Sequence, residues 1–298
     1  MLASRSSFRE IRGLNMHVRT WGNPGAPRLL LLHGWMDCSA SFQFIVDELD
    51  ALGQQWQCVA PDLRGFGLSE WARDGIYSYT DYLADLDQWF TTLDDSAPVH
   101  LLGHSLGGNI ASLFAAVRPQ RVRSLINLEG FGLRSRAPRE APEHLRNWLD
   151  DLTRFEQRRA FDDFDTVVRR VRQLSSRIEP ARARYVAEHW SEPDQLGQYR
   201  LRADPAHLRA GPDLWRLDEA MACWRSIVAP VLWVQANQSE NLTRHRLNES
   251  RLARRRAALA QHEMQRIDDA GHMLHWEHPG TLARLIAGFL ARNGGQAA

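Results

Sequence analysis

The feature that most constrains this chain is Gly103-His104-Ser105-Leu106-Gly107-Gly108. It joins an apolar run, Val99–Gly103, to a stretch in which Leu106, Ile110, Leu113, Phe114 and Val117 recur with helical period. Gly-x-Ser-x-Gly between a strand and a helix forms a nucleophile elbow. The turn is sharp enough to strain the serine backbone, so only glycine-sized residues fit two positions before and after it. Gly103 and Gly107 meet that demand. The turn lifts Ser105 Oγ clear of the sheet. It also sets the Leu106 amide at a helix N-terminus, where it can stabilise an oxyanion.

Such an elbow rises from a parallel sheet, and the rest of the chain reads as one. Arg28–His33, Trp56–Ala60, Arg123–Leu128, Val231–Val234 and Glu263–Ile267 are further strand candidates. Several are apolar on both faces, as parallel strands covered by helices must be. Phe8–Trp21 alternates instead and reads as a hairpin turning near Gly13. Tyr82, Leu86, Trp89, Phe90 and Leu93, and later Leu282, Leu285, Ile286, Phe289 and Leu290, mark helices between and after the strands. This alternation predicts an α/β fold with helices on both faces. From 133 to 225 it stops. No buried strand is expected there, only helices around His144–Phe161, Phe164–Leu174 and Pro180–Trp190, punctuated by prolines. That stretch reads as a helical cap inserted into a core made of 1–132 and 226–298.

Composition removes whole classes of chemistry. All 37 basic residues are arginine. Without a lysine amine, Schiff-base catalysis, pyridoxal phosphate anchoring and the Gly-Lys-Ser/Thr phosphate loop are excluded. A net charge of +1 points to no nucleic acid and no anionic membrane. No run approaches the ~20 apolar residues of a membrane span. The N-terminal stretch with Arg5, Arg9 and Arg12 is no secretory signal. Cys38, Cys58 and Cys223 are too few and too scattered for a disulfide framework, so the expected location is the cytoplasm.

Two further motifs complete the chemistry. His33-Gly34-Trp35-Met36-Asp37 follows a strand, and its turn can aim the Trp35 amide at an oxyanion; a plain strand-to-loop turn is the bland alternative. Ala270-Gly271-His272 lies between the last strand and the last helix. A serine nucleophile needs a base of near-neutral pKa, and His272 suits that role best of the 12 histidines. His272, His275 and His278 also have a spacing open to a metal reading, but no acidic or cysteine cluster stands nearby to complete it. No metal and no organic cofactor are expected.

The order of hairpin, HGW, DLRGFGLS (Asp62–Ser69), GHSLGG, insertion and GHMLHWEHP resembles the α/β-hydrolase superfamily. Within it, HGWMD, LINLEGFGL and GHMLH are similar to the serine-hydrolase-like group. The resemblance implies a mostly parallel sheet of about eight strands, a cap after strand six, and the chain order nucleophile, acid, histidine. The acid departs from the pattern. Relatives usually carry an Asp after the seventh strand, where Gln235–Asn241 stands here with Ser239 at the expected place. Glu240, one residue late, and Glu129, closing the sixth strand, are the two candidates. Glu129 is preferred, an arrangement resembling some haloalkane dehalogenases; a mere ion pair with cap arginines is its bland alternative. Ser105 excludes the dehalogenase and epoxide hydrolase routes, which form an ester on an Asp.

Other residues have quieter expected roles. Asp62 and Arg64 belong to loop architecture, His104 packs beneath the elbow, and Asp37 has no distinguishing signal beyond a place near the entrance. Trp148, Phe155, Phe161, Phe164, Trp190, Trp215 and Trp224 are read as cap core, and Arg134, Arg136 and Arg139 as a solvated face. The expected function is hydrolysis of a small or medium carboxylic ester by Ser105, His272 and Glu129, with the Trp35 and Leu106 amides as oxyanion hole. Carbon–carbon hydrolysis of a vinylogous diketone, or a catalytically weak binding protein of the same fold, are the alternatives. The partner is a small molecule in each case.

Overall fold

Alternation along short apolar strands divides their side chains between two cores. In β3 (Arg28–Leu32), Leu30 and Leu32 enter one core and Leu29 and Leu31 the other. The computed structural model describes residues 1–93, 97–133, 135–153, 160–209 and 211–294. The other strands are β1 (Ser4–Ile11), β2 (Leu14–Trp21), β4 (Gln57–Pro61), β5 (Val99–His104), β6 (Val122–Leu128), β7 (Val231–Ala236) and β8 (His262–Ile267). They form one eight-stranded sheet in the order β1-β2-β4-β3-β5-β6-β7-β8. Pairing is antiparallel for β1–β2 and β2–β4 and parallel elsewhere. The hairpin starts at Ser4, earlier than its alternation suggested, because most of β1 is exposed and carries little pattern. Its turn is Arg12-Gly13, with φ of 50° and 75°. Two successive positive φ values suit a tight hairpin turn.

Helices cover both faces. α1 (Gln43–Ala51) and the helix Pro279–Arg292 bury Ile45, Leu49, Leu282, Ile286 and Phe289 against one core. α2 (Tyr79–Thr91) and α3 (Leu106–Val117) bury Leu86, Phe90, Ile110 and Phe114 against the other. Ser78 caps α2 by accepting the Asp81 amide.

The segment between β6 and β7 holds α4 (Ala141–Leu152), α5 (Phe164–Leu174), α6 (Pro180–Trp190) and α7 (Leu217–Arg225). It is not purely helical. Ala160–Phe161, Tyr199–Leu201 and Ser191–Pro193 make a three-stranded antiparallel sheet. Strands of two or three residues are too short to display a period, so the pattern could not reveal them. The helix expected over His144–Phe161 runs instead from Ala141 to Leu152. Phe155 and Arg134 lie outside the described residues. Arg136 and Arg139 are exposed; Phe161, Trp190 and Trp224 are buried, and Trp148, Phe164 and Trp215 partly so.

This segment is tied at two places to the loops and helices beside the sheet. Phe161, Val167, Val171, Val186 and Trp190 pack with Cys38, Phe44 and Trp276. At the second place Phe66 bridges Ala203, the Gly67 amide donates to Arg202 O at 2.8 Å, and the Asp204 amide donates to Gly65 O at 2.9 Å. His207 lies between Phe66 and Tyr77, with both ring centroids 3.7 Å away.

Burial lowers the His207 pKa to about 3 and that of His100 to about 4. Both rings are therefore neutral in the fold, while the unfolded chain protonates them near 6.5. Their contribution to stability is present above about pH 6.5 and is lost as pH falls toward the folded values. Urea unfolding between pH 6.5 and 4.5 should show stability dropping by up to about 1.4 kcal/mol per unit for each group. His207→Leu should make that slope shallower; an unchanged slope would contradict the assignment.

Candidate active site

Steric contact shapes the turn at Ser105. The residue sits at φ 52° and ψ −111°, a region L residues rarely occupy. A Cβ on Gly103 would come within 2.2 Å of Gly107 O, and one on Gly107 within 2.1 Å of Leu32 O. No side chain fits at either place. The Ser105 amide donates to Leu128 O at 2.8 Å, and Ser105 O accepts the Asn109 amide at 3.0 Å. The turn is thus pinned between β6 and the first turn of α3.

His272 follows β8 and reaches the serine from across the sheet edge. Its Nε2 lies 3.0 Å from Ser105 Oγ, and its Nδ1 lies 3.1 Å from Glu129 Oε2. Glu129 follows β6 at φ 60°, with its amide donating to Val234 O at 3.0 Å. Its other oxygen accepts the Ala236 amide at 2.7 Å. Burial pushes the Glu129 carboxyl up from its ordinary value, and the contacts with His272 and the Ala236 amide pull the other way. Asn127 braces this bend: Oδ1 accepts the Gly130 amide at 2.8 Å, and Nδ2 donates to Ser112 Oγ at 2.9 Å and Gly130 O at 3.1 Å.

Glu240 stands elsewhere. Its carboxylate accepts the His272 backbone amide at 3.2 Å and leaves the ring to Glu129. Asn241, which the sequence reading passed over, places Nδ2 2.8 Å from His272 Nε2, the nitrogen that also faces Ser105. Nothing in the run Gln235–Asn241 distinguishes this amide, because its role depends on what faces it. Ser239 is buried where the usual acid was expected.

The second oxyanion candidate lies beside the serine. A Cβ on Gly34 would sit 3.4 Å from Ser105 Cβ, so the loop that carries Trp35 passes close to the serine. The Trp35 side chain is 49% exposed. Among the described residues the Trp35 and Leu106 amides serve no acceptor within the chain. The loop carrying Trp35 is held by His33, whose Nδ1 bonds Gly34 O at 2.8 Å and whose Nε2 accepts the Leu63 amide at 2.9 Å. Asp62 accepts the amides of Ser39 at 2.6 Å and Leu68 at 2.9 Å and pairs with His17 at 2.8 Å. Burial opposes its charge, but those contacts win and hold its pKa below the ordinary value. Arg64 pairs with Asp85. Both residues thus serve the loops.

The three C-terminal histidines diverge. His278 is turned to the Asp269 carbonyl, His275 is fully buried beside Asp37, and only His272 faces Ser105. Asp37, expected near the entrance, is buried instead, because it accepts bonds from Cys38, Ser41 and Trp190. His104 lies beneath the elbow and donates from Nε2 to His272 O at 2.9 Å. Burial depresses the pKa of both His104 and His275.

Known proteins share this architecture. A serine hydrolase-like protein of Danio rerio is 31% identical over 148 residues, spanning 49% of this chain and 43% of that protein. The chain therefore matches less than half the length of that relative. A serine hydrolase-like protein of Dictyostelium discoideum is 24% identical over 296 residues, covering 93% of this chain and 79% of the other. The solved thioesterase domain from the curacin biosynthetic pathway superposes with a TM-score of 0.85 at 27% identity, over 96% of this chain and 99% of that one. Among the described residues no helix is long and apolar enough to cross a membrane. The family model for the alpha/beta hydrolase fold matches residues 27–279, and the chain belongs to that family.

Proposed function

We propose that this hydrolase-fold chain cleaves a small or medium carboxylic ester through an acyl-enzyme on Ser105. The observation that carries the reading is the line Glu129–His272–Ser105, with contacts of 3.1 and 3.0 Å. Nδ1–H of His272 donates to Glu129, so Nε2 is the acceptor of the ring, and both Ser105 Oγ and Asn241 Nδ2 face its lone pair. His272 takes the serine proton as Oγ attacks the ester carbonyl. The Trp35 and Leu106 amides hold the oxyanion, and Glu129 stabilises the imidazolium. His272 then protonates the departing alkoxide and activates water to release the acid. In this reading 133–225 is a cap on a core of 1–132 and 226–298. Cytoplasmic residence belongs to it too, supported by three free cysteines.

Labelling with a fluorophosphonate probe should be lost in Ser105→Ala and after heat denaturation. Ser105→Ala or His272→Ala should lower kcat on p-nitrophenyl esters by on the order of 10⁴–10⁶. Glu129→Gln should cost about 10⁴ and Glu240→Gln little. The reverse ranking of the two glutamates would transfer the acid role to Glu240. Absence of turnover on oxygen esters and acyl thioesters alike, with ligand-induced thermal stabilisation, would favour a binding protein.

Burial of Glu129 also has a pH signature. Its folded pKa is raised, so its contribution to stability is whole below the ordinary value of 4.5 and is lost as pH rises through the folded value. Glu129→Gln does not titrate. The Tm of this variant relative to wild type should therefore climb between pH 4 and 7, and a constant difference would count against the buried charge.

A further inference from the structure

Directly under the Ser105 turn lies a polar cluster that acyl transfer does not use. Asp37, His104 and His275 are 3%, 1% and 0% exposed. They come from the loop after β3, the end of β5 and the short helix Leu274–Glu277. Each offers one ligand atom, and the three atoms lie within 4.8 Å of one another.

The hydrogen bonds within this cluster leave several positions without a partner. Asp37 Oδ1 accepts the Cys38 amide at 2.8 Å and the Trp190 indole N–H at 3.0 Å. Oδ2 accepts the Ser41 hydroxyl at 2.8 Å. One acceptor position on Oδ2 remains, and His275 Nε2 stands 3.4 Å from that oxygen. Neither ring nitrogen of His275 makes a hydrogen bond, and neither does His104 Nδ1. Because His104 Nε2 donates to His272 O, the free lone pair of that ring is on Nδ1. A Cβ on Gly34 would come within 2.8 Å of the same Nδ1, so a side chain there would crowd that nitrogen. The two rings are in contact, with centroids 4.2 Å apart. Buried imidazole nitrogens without partners are costly, and a cluster of them beside a carboxylate demands a reason.

A bound cation would satisfy these atoms. Two imidazoles and one carboxylate form a donor set of the kind zinc and neighbouring transition metals take, whereas calcium and magnesium require mostly oxygen. We propose that Asp37, His104 and His275 form a buried site for one transition-metal ion of the zinc class. Ligand bonds of about 2.0–2.2 Å require the three atoms to draw together. His275 Nε2 already faces Asp37 Oδ2 at 3.4 Å, so a small shift of that ring would bring it within ligand distance of a shared ion. An ion on His104 Nδ1 leaves Nε2–H on the His272 carbonyl, so it would brace the histidine loop from below. The site is independent of the ester-hydrolase reading.

The test is metal retention by the whole chain. The protein is unfolded in chelator, refolded with one equivalent of Zn²⁺ or Co²⁺, desalted and assayed for metal per chain, visible Co²⁺ absorption and Tm. Wild type should keep one ion and gain at least about 2 °C in Tm. His272→Ala, which removes the competing imidazole at Ser105, should keep the ion as well. Asp37→Asn and His275→Gln should retain less than about a tenth as much, with folding of each checked by circular dichroism. No retention by wild type overturns the proposal. So does loss in His272→Ala, or full retention in whichever of the two ligand variants folds.

Discussion

The site depends on a close approach of three backbone segments: Gly103 at the end of β5, Gly107 at the start of α3, and the Leu32 carbonyl of β3. With 2.1 and 2.2 Å available where a Cβ would stand, the helix can begin only if both positions lack one. That approach forces Ser105 to φ 52°. A non-glycine residue held in such a region costs about 1–3 kcal/mol and persists only where its surroundings over-determine it. Here those surroundings are core. Leu101, Leu102, Ile110, Leu125 and Ile126 are all fully buried around the turn.

The same logic recurs one strand away. Glu129 bends at φ 60° just after β6, and the bend is held by its amide on Val234 and by the Asn127 network. A buried carboxylate needs partners to remain charged. Glu129 has the Ala236 amide on one oxygen and His272 on the other. The parallel neighbours β5, β6 and β7 therefore deliver serine, carboxylate and the carboxylate's amide partner to one edge. The histidine arrives on the loop after β8. Beneath them His104 ties that loop back to β5, so the two sides of the proposed reaction share one support.

Much of this was legible in one dimension. The elbow, the apolar strands and the helical periods all rest on contacts between residues a few positions apart, and these leave regular marks. Ser105 lies on the strand-to-helix turn and His272 on the loop after the last strand. The acid did not have that clarity, because Glu129 and Glu240 both lie at the right sheet edge and only the direction of each side chain separates them. Asn241 and Asn127 left no mark, since an amide's role depends on what faces it. Asp37 looked like a loop residue and is buried because Trp190, far along the chain, comes to meet it. The small sheet of the inserted segment was invisible for want of length.

The sequence by itself determined the fold class, the two covered faces of the sheet and the place of the serine turn, because each follows from local sterics and short-period burial. Tertiary structure decided which carboxylate meets His272, which of three histidines faces Ser105, and which polar side chains are sealed beneath it. Those outcomes depend on long-range approaches between strands and loops, where a difference of one rotamer or one residue of register changes the partner, and no local pattern carries that information.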